Sequence, residues 1–238
     1  FPGMMTSLRA MPRGSIVVLH ACCHNPTGAD LTAGQWTDVI AAVTEGGLIP
    51  FLDMAYQGFG TGIAEDGAVV SRFAATGTPL LVSNSFSKSF SLYGERVGAL
   101  TVVAADADEA HRVLSQLKRV VRTNYSSPHI HGGKTVASVL THEDLRTLWE
   151  QELAGMRVRI KEMRNQFVEK LKAKAPGHDF EFVREQVGMF SYSGLTKDQV
   201  ELLRVEHSIY AVDTGRICVA ALNSKNIDRV VDAIAKVL

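Results

Sequence analysis

The feature that most constrains this chain is a rhythm in its first half, where short apolar, β-branched runs alternate with amphipathic helical stretches. SIVVLHA (15–21) is continuously apolar, the pattern of a strand buried on both faces. A helix is predicted over 33–45, with Thr32 as its N-cap and Gly46-Gly47 as its stop. LIPFLD (48–53) reads as the next strand, although Pro50 is unusual inside one. A helix over 65–75, a strand at PLLVSNS (79–85), a strand at VGALTVVA (97–104) and a helix over 106–122 continue the pattern. Strand, helix, strand in this order builds an α/β fold, a mostly parallel sheet with flanking helices.

The second half changes character. From 143 to 175 there is no proline and one glycine, and apolar residues recur at spacings of three and four, among them Trp149, Leu153, Ile160, Met163, Phe167 and Leu171. That is one helix of about 45 Å, long enough to be shared between two domains. Strands are predicted over 180–183, 189–192 and 216–220, with helices over 197–206 and 227–238. The expected organisation is a larger domain, 1–154, and a small α+β C-terminal domain, 155–238, joined by the long helix.

Charge narrows the partners. Lys plus Arg and Asp plus Glu are 25 each, so no net field attracts nucleic acid or an anionic membrane. The apolar runs are too short to span a bilayer. Three cysteines, two of them adjacent, make no disulfide framework and suit a reducing compartment. A cytoplasmic location is expected, with a mitochondrial one left open. The opening, with Arg9 and Arg13 and no acidic residue before Asp30, has some marks of a transit segment. An ordinary helix over 6–11 leading into the first strand is the preferred reading.

Three polar side chains, Asn25, Asp53 and Lys88, fall just past the carboxyl ends of the first three predicted strands. Ligands bind at that edge of open parallel sheets. A lysine with a carboxylate is as often a plain ion pair, but this lysine lies among Ser83, Ser85, Ser87, Ser89 and Ser91, with Arg96 eight residues on. Hydroxyls and a cation beside a reactive amine suit a phosphate-bearing carbonyl ligand held as a Schiff base, for which pyridoxal phosphate is the obvious candidate.

HNPTG (24–28), DMAYQGF (53–59), SNSFSKSFSLYGERVG (83–98), RTNYSSP (122–128) and GR (215–216) resemble, in order and spacing, the aspartate and aromatic aminotransferase family. The resemblance implies a pyridoxal phosphate enzyme with a large cofactor domain, a small domain and a homodimer. It implies that Lys88 forms the aldimine and shuttles the proton, and that Asp53 keeps the pyridine nitrogen protonated. Tyr56 and Asn25 match the pair bonded to the cofactor's phenolic oxygen. Ser85, Ser87 and Arg96 match phosphate ligands, and Arg216 matches the clamp on the substrate α-carboxylate. Arg122 matches the arginine that reaches the partner's site to hold a side-chain carboxylate. Without the motif, Arg122 reads as compensation of a helix C-terminus.

The implied reaction transfers an amino group between aspartate, or a similar dicarboxylic or aromatic amino acid, and a 2-oxo acid such as 2-oxoglutarate. Arg122 favours dicarboxylates and leaves aromatic substrates open. The turn implies a cis bond at Asn25–Pro26. The family's further phosphate cradle, its ring-stacking aromatic and a tyrosine lent by the partner lie upstream of HNPTG and are not found, so the chain resembles the C-terminal part of such an enzyme. The competing reading is an inactive fragment that serves as a folded or associating scaffold. No metal is expected: His129 and His131, or Cys22, Cys23 and His24, lack the supporting ligands of a metal site. Trp36 and Trp149 read as core residues, and His24 as packing beside the cofactor.

Overall fold

The computed structural model describes residues 1–238, which divide into two compact units. The first comprises Phe1–Ala21, Leu31–Gln57 and Gly62–Gln151, and the second Cys22–Asp30, Gly58–Thr61 and Glu152–Leu238. The HNPTG turn therefore belongs to the second unit.

In the first unit, α1 (Pro2–Ala10), β1 (Ile16–His20), α2 (Ala33–Glu45), β2 (Ile49–Met54), α3 (Ile63–Ala74) and β3 (Leu80–Ser85) alternate. β4 (Gly98–Val103), α4 (Ala107–Asn124) and α5 (Ile130–Thr141) follow. The sheet order is β1-β2-β3-β4, with the first three strands parallel and β4 antiparallel at the edge. Thr32 caps α2 in a reciprocal box with Gln35, satisfying donors that the first turn leaves free. Pro50 stands inside β2, opposite Val17. Pro2 in the first turn lets α1 start earlier than expected.

β1 is buried on one face only, not on both as expected: Val17 and Leu19 are covered, whereas Ile16 and Val18 are 59% and 63% exposed. The reason is one-sided packing. Met5 and Leu8 of α1, Trp36 and Val43 of α2 and Val69 and Phe73 of α3 join Val17, Leu19, Leu52, Leu80 and Val82 in one core. Each fully buried side chain of this size contributes about 1.5–3 kcal/mol. α5 is a helix that the pattern does not announce, since His131-Gly132-Gly133 lies in its first turn. Packing makes it: a side chain at Gly132 would collide with Val97 and Glu95.

α6 (Glu143–Lys174) is the long helix, 32 residues, and the chain passes into the second unit along it. There α7 (Glu181–Arg184), β5 (Phe190–Tyr192), α8 (Lys197–His207), β6 (Arg216–Cys218) and α9 (Ile227–Val237) complete the fold. β5 and β6 pair antiparallel. The strand expected over 180–183 is instead the short helix α7. Asp179 accepts a hydrogen bond from the Glu181 amide at 2.8 Å, and the Glu181 carboxylate pairs with Arg184 one turn on. Phe167, Leu171, Val183, Val200, Val219 and Ile234 form this unit's core. No helix is long and apolar enough to cross a membrane.

Candidate active site

Lys88 lies three residues beyond β3, in a loop tied by its own backbone. The Phe86 amide donates to Val97 O at 3.1 Å, the Ser87 amide to Ser85 Oγ at 3.3 Å and the Ser91 amide to Lys88 O at 3.1 Å. The Lys88 Nζ stands 4.7 Å from the centroid of the Tyr56 ring, within cation–π range. Tyr56 is buried just after β2. Asp53 does not lie past the strand as expected: it is inside β2, in register with His20 on one side and Ser83 on the other. β2 thus delivers a carboxylate and a phenol, and β3 an amine, at one end of the sheet. Ser87 is buried and Ser85 half-buried.

Arg96 is exposed, in the left-handed region at φ 52°, and donates to Tyr93 O at 3.0 Å. Its loop is backed by α5, where His131 Nδ1 lies 3.2 Å from Glu95 Oε2. Arg122 occupies the last turn of α4, where its charge complements the helix dipole, and donates to Ser126 Oγ at 2.6 Å.

In the second unit, residues 23–28 form a turn closed on itself. The Asp30 carboxylate accepts from the amides of Cys23 and His24, at 2.6 and 2.8 Å. His24 Nδ1 meets Thr27 Oγ1 at 2.6 Å, and the Gly28 amide donates to His24 O at 2.6 Å. His24 therefore braces the turn. The Asn25–Pro26 bond is cis, as the motif implies. Arg216, first residue of β6, donates from Nη1 to Asn25 Oδ1 at 2.9 Å and stands 4.8 Å from the centre of the Phe190 ring. Lys88 with Tyr56, and Asn25 with Arg216, are thus brought together as pairs.

Two contributors escaped the sequence reading. Trp149 is more than core: its ring stacks on Phe90 at 4.6 Å, and its Nε1 donates to Ser89 O at 2.7 Å. Phe90 in turn meets Phe86 edge-on at 5.5 Å, so the residues flanking Lys88 are braced from α6. The other is Arg164, buried on the same helix. Its signal was visible: it falls at helical spacing between Ile160 and Phe167, a charge on the apolar face.

The description of aminotransferases of class I and II matches residues 1–234, and the chain belongs to that family. It is 59% identical to an aspartate aminotransferase of Pseudomonas aeruginosa over 99% of its length. It is 51% identical to an aromatic-amino-acid aminotransferase of Escherichia coli over 100%. The chain spans 59% and 60% of the length of these two relatives. Among solved structures, an aromatic-amino-acid aminotransferase from Burkholderia pseudomallei, covalently bound to pyridoxal phosphate, is 60% identical with a TM-score of 0.98, covering 100% of this chain and 59% of that one. One from Psychrobacter sp. B6, cocrystallised with aspartic acid, is 47% identical with a TM-score of 0.96, covering 98% and 59%.

Proposed function

We propose that the full-length protein is an aminotransferase. It moves the amino group of aspartate, or of a similar dicarboxylic or aromatic amino acid, to a 2-oxo acid such as 2-oxoglutarate, using pyridoxal phosphate held by Lys88. The observation that carries this reading is the Lys88 loop: an amine over the Tyr56 ring, amid serine hydroxyls, beside the strand that bears Asp53. The donor set suits the cofactor. Lys88 offers an amine to its aldehyde, and Ser85, Ser87 and Arg96 offer donors to its phosphate. Asp53 offers an anion to its pyridinium, and Tyr56 and Asn25 offer polar groups to its phenolic oxygen.

When bound, pyridoxal phosphate supplies an electron sink for charge at the substrate α-carbon. With the group bound, Lys88 Nζ would act as general base toward the substrate α-proton and then as general acid, carrying that proton through a 1,3-shift. Arg216 holds the substrate α-carboxylate in a bidentate fork, and charge-assisted bonds of that kind contribute about 1.5–3 kcal/mol each. Arg122 serves a side-chain carboxylate in the other subunit of a homodimer. The three free cysteines suit a reducing compartment, and we place the enzyme in the cytoplasm.

The test uses full-length protein loaded with pyridoxal phosphate, aspartate and 2-oxoglutarate, with oxaloacetate formation followed by a coupled dehydrogenase. Turnover is expected, together with its loss in Lys88→Ala and borohydride labelling of Lys88 in the wild type. A label on another lysine, or no turnover of any dicarboxylic or aromatic amino acid, overturns the reading.

A further inference from the structure

Arg164 is 3% exposed, on the face of α6 that carries Ile160, Met163, Phe167 and Leu171. A charge there is costly unless its donors are satisfied. Its Nη2 donates to Gly188 O at 2.6 Å and its Nε to Ser191 Oγ at 3.3 Å, both neutral acceptors. Burial draws its pKa well below the ordinary arginine value, to about 10, with the neighbouring Cys23 acting the other way, so the group stays charged at neutral pH. A leucine or methionine at this place would pack without that cost. The guanidinium must do something that an apolar side chain cannot.

What it holds is the segment 187–192, and that segment touches Arg216 and the turn that carries its partner Asn25. On one side lies the turn that carries Asn25. The Val187 amide donates to Gly28 O at 2.7 Å and the Tyr192 amide to Thr27 O at 3.3 Å. The approach is as close as glycine allows: a Cβ on Gly28 would lie 2.7 Å from Phe190 O, and one on Gly188 2.6 Å from Cys23 Cβ. Both glycines also have positive φ, 71° and 82°. On the other side, β5 pairs with β6, setting Tyr192 opposite Arg216 and Ser191 opposite Ile217. The Phe190 ring lies under the Arg216 guanidinium.

We propose that Arg164 is a positioning residue: by clamping residues 188 and 191, it sets the Asn25–Arg216 pair in the geometry that receives the substrate α-carboxylate. This rests on the reading of Arg216 given above. The planar fork spans two acceptors at fixed separation, and a lysine reaches only one of them. The bond to Gly188 holds the turn side, and the bond to Ser191 holds the strand side.

The test measures, in the full-length holoenzyme, calorimetric binding of maleate, a non-reacting dicarboxylate, beside KM and kcat for aspartate. Arg164→Gln is expected to raise the maleate Kd and the aspartate KM roughly tenfold while kcat falls less. Arg164→Lys should recover part of the loss, and Ser191→Ala, which removes a single bond, should raise Kd about threefold. Should Arg164→Gln not fold, the lysine and Ser191→Ala variants decide. Maleate binding within twofold of wild type in both, with only the melting temperature lowered, overturns the proposal. Arg216→Lys is the control. If it leaves maleate binding intact, the carboxylate reading itself falls; if it weakens binding while the Arg164 and Ser191 variants do not, only the positioning role falls.

Discussion

Arg216 donates from Nη1 to Asn25 Oδ1 at 2.9 Å, joining positions 191 residues apart in the sequence. The bond fixes one edge of the guanidinium and leaves its orientation set by Phe190 beneath it. A planar cation held in that way is prepared for a bidentate carboxylate, and little side-chain entropy remains to be lost on binding. Arg216→Lys keeps the charge and removes the fork. We expect KM for aspartate to rise by one to two orders of magnitude, from the loss of about 1.5–3 kcal/mol. Steady-state kinetics across substrate concentrations checks this, and an unchanged KM contradicts it.

Arg122 makes a sharper statement about substrate. Its guanidinium lies exposed at the end of α4, bonded to Ser126. If it serves a side-chain carboxylate, Arg122→Ala should cost kcat/KM for aspartate at least tenfold more than for phenylalanine, which has no such group. If it only compensates the helix dipole, both substrates should change equally and the melting temperature should fall slightly. The ratio of the two specificity constants separates the cases.

The sequence carried the periodic elements well. α2 with its Thr32 cap, α6 with its unbroken apolar spacing and α9 all form where patterning places them. Of the motif residues, Lys88 lies against Tyr56 and Arg216 against Asn25, two pairings that the motifs name residues for but do not themselves state. What escaped was set by tertiary contact. α5 forms although two glycines stand in its first turn, because Gly132 admits the 95–97 loop. Residues 181–184 have strand-like Phe182 and Val183 but coil into α7, since Asp179 and the Glu181–Arg184 pair satisfy a helical turn. Asp53 falls inside β2 because the ladder continues through Met54. Trp149 is indistinguishable in sequence from its core neighbours; only its indole N–H, needing an acceptor, hinted at a second role.

Glu181 gives a pH dependence with a definite sign. Its carboxylate accepts from Arg184 at 2.8 Å and lies 3.4 Å from Lys172, while Arg184 also pairs with Glu169. The Arg184 bond, before any other cause, holds the Glu181 pKa below its ordinary 4.5. A carboxyl depressed in the folded state contributes stability that is present above the ordinary value and lost as pH falls through the lowered one. Glu181→Gln should therefore melt below wild type near neutral pH, and the gap should close in acid. The pair is exposed, so added salt should shrink the gap too. Thermal melts across pH and salt check this, and a gap that persists in acid contradicts it.

Trp149 offers the test of how tightly the Lys88 loop must be held. Its two contacts are separable: Trp149→Phe keeps a ring to stack on Phe90 and removes the donor to Ser89 O, whereas Trp149→Ala removes both. The hydrogen bond alone is worth about 0.5–1.5 kcal/mol and the stack a similar amount beyond its area. Because Ser89 adjoins Lys88, loosening it lets the amine wander, and displacements near 1 Å can cost a proton transfer roughly a hundredfold. We expect kcat to fall a few-fold in the phenylalanine variant and roughly tenfold or more in the alanine variant. KM for aspartate should stay nearly constant, since Arg216 belongs to the other unit. Loss of stability with unchanged kcat would show that the indole only fills space; a fall in kcat graded from Phe to Ala shows that it holds the lysine in place.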